Sequence, residues 1–382
     1  MNSQQKEASM GISDSNWSEI EKGARFVPNW SKHLQSVPED FVLPPGQRPG
    51  KLTVLPGDSP VIDLNQAANH DPSLTAHQIL EASLEFGFFQ VTNHGISKRL
   101  TDEAIGVAEE FFEMPAEVKA SVFTPDAGKS CRLYTSSFVY DTERFHFWRD
   151  NLTHPCHASQ DCFHLWPLKP ARYREVIGEY TVEVNKLLLR ILDLIQQGLG
   201  LECGFFREEM RGSQLLGVNH YPPCPDPSLA LGTPRHPDPN LISIVNEGGK
   251  PGIQFLRDGQ WFSIEPIPNS FTVFIGCQLQ VISNDKLRSA EHRVVTSSER
   301  DRTTLCNFLI PSEECFIEPA KALVSASNPP VYRGLKYKEF LNIYAEKLAE
   351  DQAVMDICKL QASSNIDQLD RSPDPSILLP SS

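Results

Sequence analysis

Hydrophobic residues recur at intervals of three and four positions in three segments before residue 200, as expected for helices with one buried face. The longest segment predicts a helix over 171–198. A second predicted helix follows Thr75, which has capping-box spacing to a glutamine three residues later, and it stops at Gly87. The third covers residues 100–111. The pattern predicts a mainly helical N-terminal region.

From about residue 214 onward, short runs of β-branched, aromatic and aliphatic residues alternate with turn residues, which is typical of a β-sandwich or barrel. The strands predicted there cover 215–221, 241–245, 253–256, 261–264, 271–275, 279–283, 292–296 and 303–310. Two earlier strands are predicted at 61–64 and 88–91. We therefore expect helices that support a C-terminal β-barrel.

The composition allows a large core and argues against two classes of partner. Of 382 residues, 40% are hydrophobic and 22% are charged, so wholesale disorder is not expected. The 35 basic and 49 acidic residues give a formal net charge of −14. An acidic chain without a run of Lys and Arg repels phosphate backbones and anionic bilayers, so we expect neither a nucleic-acid nor a membrane partner.

Nine cysteines are scattered along the chain without a Cys-x-x-Cys pair. An odd number without paired spacing argues against both a disulfide scaffold and a zinc ribbon. The first residues also lack the apolar core of a secretory signal. Together these features predict a reducing compartment, and we expect the cytoplasm.

The chemistry that the sequence suggests most clearly centres on His236-Pro237-Asp238. Residues two apart on a strand face the same way, so an imidazole and a carboxylate would converge there. His292, on another predicted strand, is the candidate third ligand. Two histidines and one carboxylate form the facial triad of non-haem Fe(II) oxygenases, which leaves coordination positions open. The alternative is a simple turn at Asp238 with a chance His-x-Asp spacing.

Two further pairs repeat this spacing of two. Arg302 and Thr304 would offer a guanidinium and a hydroxyl on one strand face, which suits one carboxylate. The alternative is a surface arginine in a charged turn. Asn219 and Tyr221 could add polar contacts to the same small acid, or could simply end a strand before a proline turn.

These pieces, in this order, resemble the plant-type 2-oxoglutarate- and Fe(II)-dependent dioxygenases, and within them the hyoscyamine 6-hydroxylase-like enzymes. The likeness covers roughly residues 59 to 347. The motifs that carry it are Pro60-Val61-Ile62-Asp63-Leu64, Gly87-Phe88-Phe89-Gln90-Val91, Trp148-Arg149-Asp150-Asn151-Leu152, Asn219-His220-Tyr221-Pro222-Pro223, His236-Pro237-Asp238, Glu291-His292-Arg293-Val294-Val295 and Arg302-Thr303-Thr304.

The resemblance implies a mixed α/β (α+β) fold, namely a distorted double-stranded β-helix, or jelly-roll barrel, with a helical N-terminal region packed on it. It implies that iron is held by His236, Asp238 and His292, which are also the catalytic set. The 2-oxoglutarate ligands that it implies are Arg302, Thr304, Tyr221 and Asn219. The residues expected near the substrate are Phe308, Phe138, Tyr140 and Phe147, although Phe308 could equally be ordinary barrel core.

Five segments are expected along the chain. They are an extended arm over 1–57, a helical dioxygenase N-terminal region over 58–210, the jelly-roll core over 211–317, a C-terminal helical segment over 318–362 and a flexible tail over 363–382.

The expected reaction uses Fe(II), 2-oxoglutarate and O₂, with ascorbate as reductant. It would hydroxylate, or otherwise oxidise at a C–H bond, a small plant specialised metabolite, with alkaloids as the candidate class, and release succinate and CO₂. Two alternatives stay open: a non-catalytic small-molecule-binding or partner-docking protein of the same fold, and an iron oxidase that does not use 2-oxoglutarate. The sequence does not reveal the oligomeric state, and a monomer is favoured.

Two departures from the family pattern bear on the site. Thr304 stands where the family usually has serine, which keeps the hydroxyl. The run from Val245 to Lys250 is more polar than the usual apolar strand end, and we expect it to alter the shape of the substrate site.

Overall fold

The computed structural model describes residues 26–50, 55–56, 59–65, 72–124, 130–137, 139–156, 162–349 and 354–360. Part of the predicted arm and the whole predicted tail, 363–382, lie outside the described residues. In the described part of the chain, no helix is long and apolar enough to cross a bilayer.

The elements are numbered in chain order. The helices are α1 (Val27–Trp30), α2 (Pro72–Glu85), α3 (Lys98–Glu113), α4 (Ala116–Ala120), α5 (Tyr173–Gly198), α6 (Glu208–Arg211), α7 (Cys277–Ile282), α8 (Tyr337–Ala349) and α9 (Val354–Cys358). The strands are β1 (Leu55–Pro56), β2 (Val61–Asp63), β3 (Phe88–Thr92), β4 (Arg132–Thr135), β5 (Asp150–Pro155), β6 (Ser213–Tyr221), β7 (Leu231–His236), β8 (Ile242–Asn246), β9 (Ile253–Arg257), β10 (Gln260–Ser263), β11 (Phe271–Ile275), β12 (His292–Val295), β13 (Arg302–Ile310), β14 (Phe316–Ile317) and β15 (Leu335–Lys336).

The strands form two large sheets and one small hairpin. The order of the larger sheet is β2-β3-β11-β8-β13-β6-β5-β4, and that of the second is β1-β10-β9-β12-β7. Pairing is antiparallel except between β2 and β3 and between β1 and β10. The predicted mixed α/β class, with helices around antiparallel sheets, is therefore confirmed.

Side chains alternate between two environments along β13, as the period of two requires. Leu305 and Leu309 join a large apolar cluster with Val184 and Leu187 of α5, so this face of the sheet is covered by helices. The opposite face begins with Arg302. Between the two sheets, aromatic and aliphatic residues from both form a second cluster: Phe88, Val245, Phe255, Phe274 and Val294.

The predicted strand at 279–283 is wrong, because this segment belongs to helix α7. Its apolar positions are buried all round, and periodicity cannot separate a short buried helix from a buried strand. The chain turns at Gly276, where an added Cβ would lie 1.9 Å from the Asn240 carbonyl oxygen. Only glycine therefore fits at the start of this helix.

Two other differences have clear physical reasons. Helix α2 begins at Pro72, a residue that suits the first turn of a helix, so Thr75 lies inside the helix and not at its start. Strand β5 was not predicted because its sequence, Asp150 to Pro155, is largely polar. It is nevertheless buried, since it pairs with both β4 and β6.

Trp148 anchors the segment that precedes β5. Trp30 and Phe41 pack edge-on against its ring at centroid distances of 5.4 and 5.3 Å. Its indole Nε1 donates a hydrogen bond to the Pro222 carbonyl at 3.1 Å. The described part of the N-terminal segment thereby holds the backbone next to Arg149, a residue that faces the site described below.

Candidate active site

Two histidines face each other at the ends of neighbouring strands. His236 is the last residue of β7 and His292 is the first of β12, and the two are direct cross-strand partners. Their ring centroids lie 4.3 Å apart. Asp238 follows β7 by two residues, with its Oδ1 3.5 Å from His236 Nε2 and 3.8 Å from His292 Nε2. The structure therefore brings all three predicted metal ligands to one point.

Backbone carbonyls set the tautomer of both imidazoles. Nδ1 of His236 lies 2.9 Å from the Pro234 carbonyl oxygen, and Nδ1 of His292 lies 3.0 Å from that of Ala290. A carbonyl can only accept, so each Nδ1 carries a proton, and Nε2 is the nitrogen that has the lone pair when the ring is neutral. Burial, followed by the neighbouring His292, lowers the pKa of His236 to about 4. A neutral imidazole is the form that binds a metal ion.

Asp238 is oriented by a hydroxyl on β8. Ser243 Oγ donates to Asp238 Oδ2 at 2.5 Å, which leaves Oδ1 facing the two histidines. Asn240 Nδ2 in turn donates to Ser243 Oγ at 3.1 Å. On the other side, Phe274 stacks on His292 with centroids 4.1 Å apart. All three potential ligands are thus held in place by a surrounding layer of contacts, as in known metal sites.

Replacing Ser243 by alanine is expected to weaken metal binding about 10- to 100-fold, which is typical for loss of a group that orients a ligand. The reason is that Asp238 loses the donor that directs Oδ2 away from the histidines. Titration of the purified protein with Mn(II) measures the effect. Ser270→Ala, which removes a hydroxyl that contacts Gln90 instead, is the matched control. Equal affinity of the Ser243 variant and wild type would contradict the orienting role.

Arg302 is buried, with 5% of its surface exposed, so the alternative of a surface arginine is wrong. Its Nε donates to the Lys250 carbonyl at 2.9 Å, and its NH2 donates to Glu247 Oε2 at 2.9 Å. Its NH1 is buried and has no hydrogen-bond partner among the residues that the structure describes. A buried guanidinium nitrogen without a partner is costly, so this edge fits an anionic group that is not part of the chain.

Thr304 follows Arg302 on the same face of β13, and it too is buried. Its Oγ1 lies 3.8 Å from the sulfur of Cys306, the next residue on that face. Burial raises the pKa of the Cys306 thiol to about 11, so it stays protonated. The spacing of two along β13 could have identified Cys306 as a site residue from the sequence.

The amide of Asn219 is oriented by its neighbours. Its Oδ1 accepts from Asn151 Nδ2 at 2.6 Å and from Arg149 NH1 at 3.1 Å. Its Nδ2 therefore faces the other way, and it lies 3.6 Å from Cys306 Sγ. The amide presents a donor, not an acceptor, on the side of β13.

Arg149 is a second guanidinium at this site that the sequence reasoning missed. Besides contacting Asn219, its NH1 donates to Thr233 Oγ1 at 3.0 Å, and that hydroxyl lies 3.1 Å from Tyr221 OH. Burial is the main cause that lowers the pKa of His236, and the positive charge of Arg149 adds to it. Burial raises the pKa of Tyr221, and the charge of Arg149 opposes that rise. Arg149 thus links the two predicted co-substrate residues on β6 to the metal-ligand set.

The predicted substrate residues fall into different places. Phe308 lies on the Arg302 face of β13 and is the direct cross-strand partner of Ser243, so it is next to the metal-ligand set. Tyr140 stacks on His146 at 3.8 Å. The amide of Phe147 donates to Ser136 Oγ at 2.7 Å. Phe138 lies outside the described residues.

Glu247 is the other site residue that was not foreseen. It lies in the polar run after β8, for which we expected an effect on the shape of the substrate site. That effect stays a prediction, and the structure shows that the carboxylate of Glu247 pairs with Arg302. The polar run thus contributes a charge at the predicted co-substrate site.

Comparisons with known proteins agree with this geometry. Residues 59–169 match a family model described as the non-haem dioxygenase in morphine synthesis N-terminal region, and residues 212–311 match that of the 2OG-Fe(II) oxygenase superfamily. Together these two segments cover more than half of the chain.

Curated relatives and solved structures span most of the chain. Hyoscyamine 6-dioxygenase from Hyoscyamus niger is 42% identical over 84% of this chain and 94% of its own length. Flavanone 3-dioxygenase 2 from Oryza sativa subsp. japonica is 39% identical over 80% of this chain and 89% of its own length. The crystal structure of JOX2 in complex with 2OG, Fe and JA has a TM-score of 0.75 at 32% identity, and the match covers 84% of this chain and 93% of that chain. These matches confirm the double-stranded β-helix fold predicted from the sequence.

Proposed function

Because this chain belongs to the 2OG-Fe(II) oxygenase superfamily, whose members are 2-oxoglutarate-dependent dioxygenases, we propose that it oxidises a C–H bond of a small plant specialised metabolite. The expected outcome is hydroxylation, with 2-oxoglutarate converted to succinate and CO₂. The observation that carries the proposal is the meeting of His236, Asp238 and His292 in one barrel with a buried, partly unpartnered Arg302.

We propose that His236, Asp238 and His292 hold the ferrous ion through Nε2, Oδ1 and Nε2. The donor set fits this metal, because two neutral imidazoles and one carboxylate on one side leave the other positions open. Iron bound there, with 2-oxoglutarate and O₂, supplies the oxidising chemistry. The role of the protein is to hold 2-oxoglutarate, O₂ and the substrate in the right positions and to exclude water.

Arg302 and Thr304 are the proposed partners of the far carboxylate of 2-oxoglutarate. In the described part of the chain, the NH1 group of Arg302 lacks a hydrogen-bond partner, and the hydroxyl of Thr304 lies two residues further on the same strand face. Tyr221 would assist from β6, where it is the direct cross-strand partner of Arg302. Asn219, with its amide donor directed towards β13, is the proposed contact for the keto-acid end.

The substrate class rests on similarity and on the aromatic residues near the metal-ligand set. The name of one relative refers to hyoscyamine and that of another to flavanone. We propose an alkaloid-like or similarly bulky, partly apolar guest, with Phe308 as a wall of its site. Phe138, Tyr140 and Phe147 stay predictions for the same role. We further propose a cytoplasmic monomer, with domain boundaries as predicted from the sequence.

The test is formation of succinate from 2-oxoglutarate by the purified protein, supplied with Fe(II), ascorbate and a panel of plant metabolites. We expect succinate to form in proportion to an oxidised product with one substrate class. A protein that binds metabolites but forms no succinate above background would favour the non-catalytic alternative. Product formation without any requirement for 2-oxoglutarate would favour the other iron oxidase.

A further inference from the structure

We propose that Glu247 is a positioning residue for Arg302 that directs NH1 towards 2-oxoglutarate and limits the affinity for this co-substrate. The inference rests on the proposed function, because it assigns the far carboxylate of 2-oxoglutarate to Arg302. It concerns a carboxylate that is 55 residues away from Arg302 along the chain.

The carboxylate of Glu247 is held from two strands at once. Its Oε2 accepts from Arg302 NH2 on β13 at 2.9 Å, and its Oε1 accepts from Thr272 Oγ1 on β11 at 2.8 Å. Only 3% of the residue is exposed. With one partner on each oxygen, the carboxylate has a single orientation, and the guanidinium that it binds is fixed with it.

The stem of Arg302 is confined as well. Its Nε donates to the Lys250 carbonyl at 2.9 Å. A Cβ on Gly252 would lie 3.0 Å from both Cδ and Nε of Arg302, so the arginine passes against bare backbone where a larger residue would crowd it. Nε and NH2 are both engaged, so NH1 is the part of the guanidinium that has no hydrogen-bond partner within the described ranges.

The arrangement has an electrostatic consequence. A co-substrate carboxylate that binds to NH1 shares one positive charge with the Glu247 carboxylate, and the two negative groups repel each other. Burial is the main cause that raises the pKa of Glu247, although Arg302 opposes it, which agrees with a carboxylate held at some cost. Glu247 therefore combines a geometric benefit with an electrostatic penalty for co-substrate binding.

The two contributions can be separated by two substitutions. Glu247→Gln has the same shape and can still accept from Arg302 NH2 and bind Thr272, but it carries no charge. Glu247→Ala removes both the charge and the orienting contact. We expect the glutamine variant to bind 2-oxoglutarate about tenfold more tightly than wild type, and the alanine variant to bind it about tenfold more weakly.

The measurement is the Kd of 2-oxoglutarate for the Mn(II)-loaded protein by calorimetry in the absence of O₂, alongside the Kd of Mn(II) itself. The latter should stay within about twofold in all variants, because the triad is untouched, whereas a general loss of structure would shift it. Glu109→Gln is the matched control. It removes a carboxylate that pairs with Lys250 and not with Arg302, so we expect little change.

Each outcome of these binding measurements either supports or contradicts the proposed role of Glu247. Tighter binding by Glu247→Gln supports the proposal, and weaker binding by Glu247→Ala adds the positioning role. Unchanged or weaker binding by Glu247→Gln would overturn it, even where the alanine variant does not fold. Failure of the wild-type protein to bind 2-oxoglutarate at all would instead count against the proposed function, so the two failures are distinguishable.

Discussion

His236→Ala is expected to reduce succinate formation by more than about 100-fold, since loss of a ligand should exceed the 10- to 100-fold effect typical of a residue that only orients a ligand. The two remaining ligands would be Asp238 and His292, 3.8 Å apart between Oδ1 and Nε2. Two donors leave most of the coordination sphere to water, so the ion is bound weakly and without a fixed orientation. Metal content after anaerobic loading and succinate released per protein are the two measurements.

A matched control distinguishes the loss of a metal ligand from the loss of a histidine elsewhere on the protein. His77 is exposed on α2 and pairs with Glu81, so His77→Ala should retain wild-type activity and metal content. The variant of His236 should keep its fold, because part of that side chain is solvent-accessible and its removal leaves no large buried void. A His236→Ala protein as active as wild type would show that the metal ligands have been assigned wrongly.

The second large effect concerns Arg302. Arg302→Leu is expected to raise the KM for 2-oxoglutarate by about 10- to 100-fold, since a hydrogen bond to a charged group contributes about 1.5–3 kcal/mol. The same change leaves the Glu247 carboxylate buried without its cation. Breaking a buried ion pair in this way typically costs about 3–5 kcal/mol of unfolding free energy. A single variant therefore mixes an effect on binding with an effect on stability.

The double variant Arg302→Leu/Glu247→Leu separates the effect on co-substrate binding from the effect on stability. It removes both charges, so the free energy of unfolding should recover towards the wild-type value, while the KM for 2-oxoglutarate stays high. Urea denaturation gives the first quantity, and succinate formation at varied 2-oxoglutarate gives the second. If the single variant kept the wild-type KM, Arg302 would not be a ligand of the co-substrate.

Several features of the site follow from short-range rules and were therefore predictable. Side chains two residues apart on a strand share a face, and this rule alone places Arg302 with Thr304 and Asn219 with Tyr221. The same rule predicted that His236 and Asp238 point the same way, although Asp238 lies two residues beyond the end of β7. His292 was the candidate third ligand because it lies on another predicted strand, and the resemblance to a known family then implied that it binds iron. The strand predicted at 279–283 failed because a short buried segment has no distinctive period.

Contacts between residues that are far apart in the sequence could not be predicted from these short-range rules. Glu247 reaches Arg302 across 55 residues, Arg149 reaches Asn219 across 70, and β5 pairs with β6 although its sequence is polar. Such pairs depend on which strands become neighbours in the sheet, and nothing local in either segment encodes that choice. Hydrophobic periodicity and strand spacing predicted a C-terminal β-sandwich or barrel supported by helices, and the family resemblance predicted the jelly roll. The partner of each buried charge was decided only when folding brought distant strands together, because a charge removed from water needs a counter-charge or hydrogen bonds wherever the fold can supply them.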